Sequence, residues 1–335
     1  MAWRGPKSAR ARGAVSQTWL TLLVWALFGF AIAAAAGAVL LLPLGRLGVR
    51  QRAYEDAPQT HRTKSGTPTM GGIVFVVVLL AALILVRDPQ FTDLVLLVVL
   101  CAAIGATDDL LTIRGGSGRG LPARTKFLAT ALAAVIFLRE LDAASSGQRD
   151  VLLHAGVFVL TAPHWLWLAL GILAITGTIH AVNLADGLDG LAAGSMIPPL
   201  AVLAFVSTAT QATGAAVAAA AGTGACAAFL IYNRHPARLF MGDTGSLALG
   251  ALLAGIAILT GEMLLLIVIG GVFVAEALSV ILQVSYFKAT GGRRILRMSP
   301  LHHHFELGGW PETKVTIRFW LASLVCSLLG WAIVR

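Results

Sequence analysis

Carboxylates, histidines and glycine-broken turns recur where the long apolar runs of this chain end. Thr107-Asp108-Asp109 closes one run with two adjacent acids. Asn183, Asp186 and Asp189 follow another at three-residue intervals, so one helical turn or a tight loop would place all three on one face. Gly187 and Gly190 in that segment let backbone come close to a phosphate or nucleotide. Asp243 lies between glycines in Gly242-Asp243-Thr244-Gly245-Ser246, directly ahead of an apolar run. Magnesium takes one or two protein carboxylates and completes its octahedron with water and phosphate oxygens, a job that suits Asp243. His302, His303 and His304 are consecutive, and histidines beside a pyrophosphate can donate hydrogen bonds in either protonation state. Lys64 sits among small, flexible residues of His61 to Gly72, without the residue order of a Walker A loop, and offers one more contact to an anion.

Each group has a plainer reading. Asp108 and Asp109 could be a solvated helix end, since adjacent helical residues point about 100° apart. Asp243 could be an ordinary N-cap, the 183–190 segment could cap the next helix, and Lys64 could be a juxtamembrane anchor. Zinc on the histidines is disfavoured, because neighbours in a helix point in different directions and no cysteines accompany them. Taken together, five aspartates with Lys, Arg and His residues and glycine-rich backbone suit phosphoryl transfer. There, an anionic nucleophile meets a pyrophosphate and catalysis is mostly alignment and charge neutralisation.

The elements that must position these groups are set by composition. Of 335 residues, 57% are hydrophobic and 12% charged, against roughly 25% charged in an ordinary soluble domain. Compact soluble enzymes, disordered chains and disulfide scaffolds are excluded. Cys101, Cys226 and Cys326 form an odd set inside apolar runs and read as small core residues. At ~20 helical residues per crossing, the apolar runs predict an all-α polytopic membrane protein with about ten transmembrane helices. The expected spans are 18–42, 70–86, 91–107, 126–138, 164–182, 190–209, 214–231, 246–260, 263–287 and 314–333. The first is too long for a signal-peptide core and reads as a retained helix behind a basic tail, 1–17.

The loops alternate between a basic set and a poorly basic set. Arg46, Arg50, Arg52, Arg62 and Lys64, then Arg114, Arg119, Arg124 and Lys126, then Arg234 and Arg238, then Lys288, Arg293, Arg294, Arg297 and Lys314 fall on one side. The positive-inside bias puts that side in the cytoplasm and both termini outside, against the pull of Arg4, Lys7, Arg10 and Arg12 in the tail. The outer connection, 139–163, holds the apolar piece Val151 to Leu160, too short to span and expected at the interface as a helix or hairpin. No internal repeat or linker divides 1–335, so one membrane domain is expected. The +9 charge is explained by these loops and by anionic lipids or substrates, and nucleic acid is not expected as a partner. A secondary transporter is the non-enzyme alternative, disfavoured because such sites lie near the bilayer midplane.

The segments HRTKSGTPTMGG, TDD, NLADGLDG, FMGDTGS and SPLHHHFELGGWPETKVTIRFW together resemble the phospho-N-acetylmuramoyl-pentapeptide transferase family, in order and over nearly the whole chain. The HHHFE run separates it from the sibling polyprenyl-phosphate GlcNAc-1-phosphate transferases, the alternative enzyme reading. The resemblance implies ten helices with periplasmic termini in the bacterial inner membrane, and an inner-face cleft beside the ninth span. It implies attack of undecaprenyl phosphate on UDP-MurNAc-pentapeptide, with magnesium (Mg2+), giving lipid I and UMP in peptidoglycan synthesis. Asp243 looks like the metal ligand, and Asp108 and Asp109 like the pair held near the lipid phosphate. Lys126 resembles the lysine after the family's GL-x-AR stretch, and Asn183, Asp186, His302, His303 and His304 look like groups handling phosphates and sugar. Gly187, Leu188, Asp189, Asn233 and Phe240 resemble a uridine pocket, with Phe240 offering a ring to stack on, and Lys64, Thr69 and Gln283 look like further nucleoside-side contacts. Whether the chain works as a homodimer is left open.

One departure stands out. A lysine often follows the paired acids in this family, whereas this chain reads Asp108-Asp109-Leu110-Leu111-Thr112, leaving Arg114 or Arg119 as substitutes. On the acids' role, a phosphate monoester has its second pKa at ~6, so the lipid phosphate is already largely dianionic at pH 7. A carboxylate near its ordinary ~3.9 would add little as a base, which favours direct attack with Asp108 positioning the nucleophile over a covalent aspartyl phosphate. Glu276, inside the ninth span, is a functional candidate by depth or half of a structural pair whose partner the sequence does not reveal.

Overall fold

A computed structural model describes residues 7–46, 66–114, 120–144 and 150–335. The helices are α1 (Lys7–Arg46), α2 (Ile73–Leu85), α3 (Pro89–Arg114), α4 (Ala123–Ala144), α5 (His164–Ala185), α6 (Leu191–Ala209) and α7 (Thr213–Asn233). They continue with α8 (Gly242–Leu259), α9 (Leu265–Ile269), α10 (Gly271–Ala289), α11 (Leu301–Glu306) and α12 (Glu312–Val334). Eight of them are long and apolar enough to cross a membrane. Of the other expected spans, α2 is an apolar helix of 13 residues, and α4 reaches 22 residues but carries Arg124, Lys126, Arg139 and Glu140. The expected ninth span, 263–287, is divided: α9 ends at Ile269, Gly270 caps it, and α10 begins afresh at Gly271.

Strands β1 (Val151–Ala155) and β2 (Phe158–Thr161) form an antiparallel hairpin between α4 and α5, where the sequence predicted a non-spanning element. The hairpin is tied to the loop after α8, where Glu262 accepts hydrogen bonds from the His154 backbone at 3.2 Å and shares one with the His154 ring at 2.9 Å. Burial pushes the Glu262 carboxyl above its ordinary range, and the His154 bonds oppose that rise.

Helix α8 is the axis of the bundle, buried along nearly its whole length and packed mainly against α3 and α5. In a membrane, helices gain little from hiding apolar surface from lipid, and close approach of small residues drives association instead. Helix α7 follows that rule, with alanines and glycines along a buried stretch that meets α1. A Cβ at Gly224 would strike the Ala26 carbonyl, and one at Gly29 the Ala221 carbonyl. Gly224→Val is therefore expected to push α1 off α7 and lower stability by about 1–3 kcal/mol, read as an earlier thermal unfolding midpoint of the detergent-solubilised protein.

The connectivity brings chemistry to one end of the bundle. The last turns of α3, α5 and α7, the first turns of α4, α6, α8 and α12, and helix α11 all meet there.

Candidate active site

Gly242 sets the site's geometry. Its φ of 71° turns the chain into α8, and a side chain there would meet the Asp109 carboxylate and Thr69. Asp109, at the end of α3, then covers the start of α8. Its Oδ1 accepts the Asp243 N–H at 3.0 Å, and its Oδ2 accepts the Thr244 N–H at 2.9 Å and the Thr244 hydroxyl at 2.6 Å. The acid beside it points elsewhere, as expected of neighbours on a helix. Asp108 accepts the Leu121 N–H at 2.7 Å and lies 3.1 Å from Lys126 Nζ. Lys126 also donates to Asp243 in a short hydrogen bond, so a single ammonium joins the carboxylates of α3 and α8. This supplies the cation missing from the sequence after Asp109; Arg114 is exposed and Arg119 lies outside the described residues.

Asn183, on the last turn of α5, donates to Asp243 Oδ1 at 2.8 Å and to Ser246 Oγ at 2.9 Å. Asp243 is thereby gripped from two sides with its carboxylate held in one orientation. Helix α5 ends at Ala185, and Asp186 follows as its C-cap, partly buried. No side chain among the described residues gives Asp186 a hydrogen bond. Burial, then the negative charges of Asp243, Asp109 and Asp189, push its carboxyl well above the usual range.

The three-residue spacing of Asn183, Asp186 and Asp189 does not keep them on one face. Asp189 turns away and is held by His235 Nδ1 and the Ala237 N–H, both at 3.0 Å, while its own N–H donates to Glu312 at 2.6 Å. The cause is the helix end: past Ala185 the chain leaves helical geometry, and Gly190, at φ 75°, reverses it into α6. Asn233 braces the same turn, accepting the Gly190 N–H at 3.0 Å and donating to the Leu239 carbonyl at 2.9 Å. Leu188 packs into a small apolar cluster with Leu191, Val272, Val315 and Phe319.

Phe240 and Thr69 lie where two segments are zipped by backbone bonds, Phe240 N–H to the Pro68 carbonyl at 2.8 Å and Gly71 N–H to the Phe240 carbonyl at 2.9 Å. Lys64 falls outside the described residues. Gln283 is fully engaged, accepting from Ile295 and Leu296 at 3.0 Å and donating to the Leu296 carbonyl at 3.1 Å. It holds the loop ahead of α11.

The histidines of α11 go to three places. His302 is wholly buried beside Glu276 and Gly187, His303 shares a 3.1 Å hydrogen bond with Glu306, and His304 accepts the Arg297 N–H at 3.1 Å. Sequence reasoning missed Ser246 and Thr244 as partners of the acids, and Glu312 and His235 as the pair that holds Asp189. Only three-dimensional proximity reveals them, since each lies tens of residues from its partner.

The arrangement suits a divalent cation. Asp243 is oriented by Asn183, the Asp186 carboxylate is close enough to feel its charge and has no hydrogen-bond partner among the described residues, and the local excess of negative charge is what such an ion relieves. Acids and a lysine gathered at one end of an apolar helical bundle, beside a glycine-rich turn, suit a membrane-embedded transferase for phosphorylated substrates. The glycosyl transferase family 4 model matches residues 91–261, and the phospho-N-acetylmuramoyl-pentapeptide-transferase signature 1 matches residues 64–76. The chain is 45% identical over 314 residues to the phospho-N-acetylmuramoyl-pentapeptide-transferase of Heliobacterium modesticaldum, covering 92% of this chain and 96% of that one. It is 45% identical over 314 residues to the Synechococcus sp. enzyme of that name, covering 91% of each chain. The Desulforudis audaxviator enzyme is 40% identical over 329 residues, covering 93% of this chain and 98% of its own. The chain belongs to the phospho-N-acetylmuramoyl-pentapeptide-transferase family. It is a multi-pass protein of the bacterial inner membrane, of a kind for which a divalent metal is expected.

Proposed function

We propose that this protein transfers phospho-MurNAc-pentapeptide from UDP-MurNAc-pentapeptide to undecaprenyl phosphate, forming lipid I and releasing UMP. The observation that carries the mechanism is the Lys126 bridge between Asp108 and Asp243. A lipid-phosphate oxygen bonds to the sugar-linked phosphorus while the P–O bond to UMP breaks, and UMP leaves with that electron pair. Asp243, with Asp186 nearby, would hold Mg2+, which when bound neutralises pyrophosphate oxygens. Lys126 sets the spacing between the nucleophile's side, at Asp108, and the nucleotide's side, at Asp243. Asn183 fixes the Asp243 carboxylate, and Asp109 fixes the start of α8 beneath it. The turn from Gly187 to Gly190, with Asn233 and Phe240, would receive the uridine, and His303 and His304 the sugar phosphate.

Arg124 and Lys126 on α4, Arg234 and Arg238 after α7, and Arg293, Arg294 and Arg297 before α11 sit at the site's end of the bundle, whereas Arg87, Arg139 and Arg335 sit at the other. This supports a cytoplasmic site with both termini periplasmic in a single membrane domain.

The test is release of labelled UMP from UDP-MurNAc-pentapeptide by purified protein, with undecaprenyl phosphate and Mg2+ present or omitted. Release that requires both supports the reading; lipid product from UDP-GlcNAc alone, or no release, overturns it. Within that assay Asp108→Asn is expected to lower turnover about 10²-fold or more. Because the acid positions the nucleophile, raising the pH from about 7 to about 9 should leave the deficit in place. Recovery at high pH would assign Asp108 to deprotonation instead.

A further inference from the structure

Glu276 has no assigned role, yet it lies in the apolar middle of the chain's most interrupted span. Among the described residues, Glu276 and His302 are the one ion pair in which neither side chain has any exposed surface. Glu276 Oε1 lies 3.2 Å from His302 Nδ1 and accepts the His302 backbone N–H at 3.2 Å, so one oxygen meets both the ring and the main chain of the first histidine in the run. On the opposite side of the ring, Nε2 abuts Gly187, where any side chain would overlap it. The Nδ1 contact is one of charge proximity without hydrogen-bond geometry: neither ring nitrogen of His302 nor Glu276 Oε2 makes a hydrogen bond with the described residues.

Buried polar atoms in a native protein are rarely left without partners, and those that are call for a functional explanation. A carboxylate beside one imidazole nitrogen selects the tautomer and aims the other nitrogen. Here that other nitrogen lies against Gly187, immediately after Asp186, in the turn that leads to Asp189. A purely packing role would be served better by apolar side chains of the same volume, because an acid and an imidazole withdrawn from water each lose hydration.

We propose that Glu276 is a positioning residue for the transfer reaction: it orients His302 by accepting its backbone N–H and placing a carboxylate beside Nδ1, and the Nε2 edge of the ring, packed against Gly187, then sets the turn that follows Asp186. This rests on the functional reading above. It also explains why the first histidine of the run differs in burial from the other two, and why position 187 has no side chain.

The experiment is a double-mutant cycle in the UMP-release assay. Glu276→Gln keeps the shape and removes the charge, and is expected to lower kcat about 10- to 100-fold, the cost usual for losing a carboxylate behind a working histidine. KM for the UDP-sugar should rise alongside, because the same turn would receive the uridine. Because both residues act along one line, Glu276→Gln combined with His302→Gln should be no slower than His302→Gln alone. Losses that multiply in the double variant, or a change confined to KM, would overturn the proposal. Glu276→Asp, which keeps the charge, should retain more turnover than Glu276→Gln; equal losses in the two would reduce Glu276 to packing and also overturn it.

If Glu276→Gln does not survive extraction, ring nitrogen spectra of the 15N-histidine-labelled wild type decide. A protonated Nδ1 on His302 supports the proposal, and a bare Nδ1 overturns it. Wild type that releases no UMP would strike the functional reading itself. Active wild type matched by Glu276→Gln would strike this proposal alone.

Discussion

Asp243→Asn is expected to lower turnover by about 10²- to 10³-fold, the range for removing one oriented electrostatic partner of a developing charge. The substitution is close to isosteric. The amide oxygen can still accept from Asn183, and the backbone N–H of residue 243 still reaches Asp109, so α8 should start where it does now. What disappears is the negative charge and, with Oδ2 replaced by an amide NH2, the acceptor for Lys126. Manganese titration, followed by the electron spin resonance of the free ion, should show weaker binding in the variant, and raising the metal concentration should recover part of the rate. Full turnover at ordinary metal concentration would remove Asp243 from its proposed place.

Lys126→Met is expected to be as damaging, for the opposite reason. Its ammonium separates Asp108 from Asp243, and without it two partly buried carboxylates face each other. Leaving buried charges uncompensated typically costs about 3–5 kcal/mol, and less here because both acids retain some contact with solvent. Turnover should fall by about 10²-fold or more while the unfolding midpoint drops only modestly. Lys126→Arg should not restore activity, since a planar, five-donor guanidinium cannot occupy the point where one nitrogen now meets two acids. An arginine variant with wild-type rates would mean that Lys126 contributes charge alone.

Much of this architecture is legible before any coordinates. Apolar runs are long and charges few, so the spans from Thr18 to Leu41 and from Glu312 to Val334 appear where hydropathy places them. The break at Gly270 was hidden because both flanks are apolar, and hydropathy does not register a helix that stops and restarts inside one apolar stretch. At the site, residue type and position at run ends pointed to Asp108, Asp186 and Asp243. Spacing failed for Asp189, since three-residue periodicity holds only while the helix continues, and α5 ends first. The partner of Glu276 lies 26 residues away on a six-residue helix, a separation that no local pattern encodes. Lys126 presented the same difficulty. The sequence suggested a missing cation beside the paired acids, and the fold brings one from the next helix.

The hydrogen bonds at the head of α8 have one more implication. The first amides of a helix make a natural seat for an anion, and a glycine-flanked start of this kind would ordinarily be offered to phosphate. Here Asp109 already occupies that seat with both oxygens. An incoming pyrophosphate would therefore rely on side chains and on the cation that Asp243 is proposed to hold. Nucleotide affinity in this enzyme should consequently rise and fall with divalent ion far more steeply than in proteins whose backbone amides grip phosphate directly.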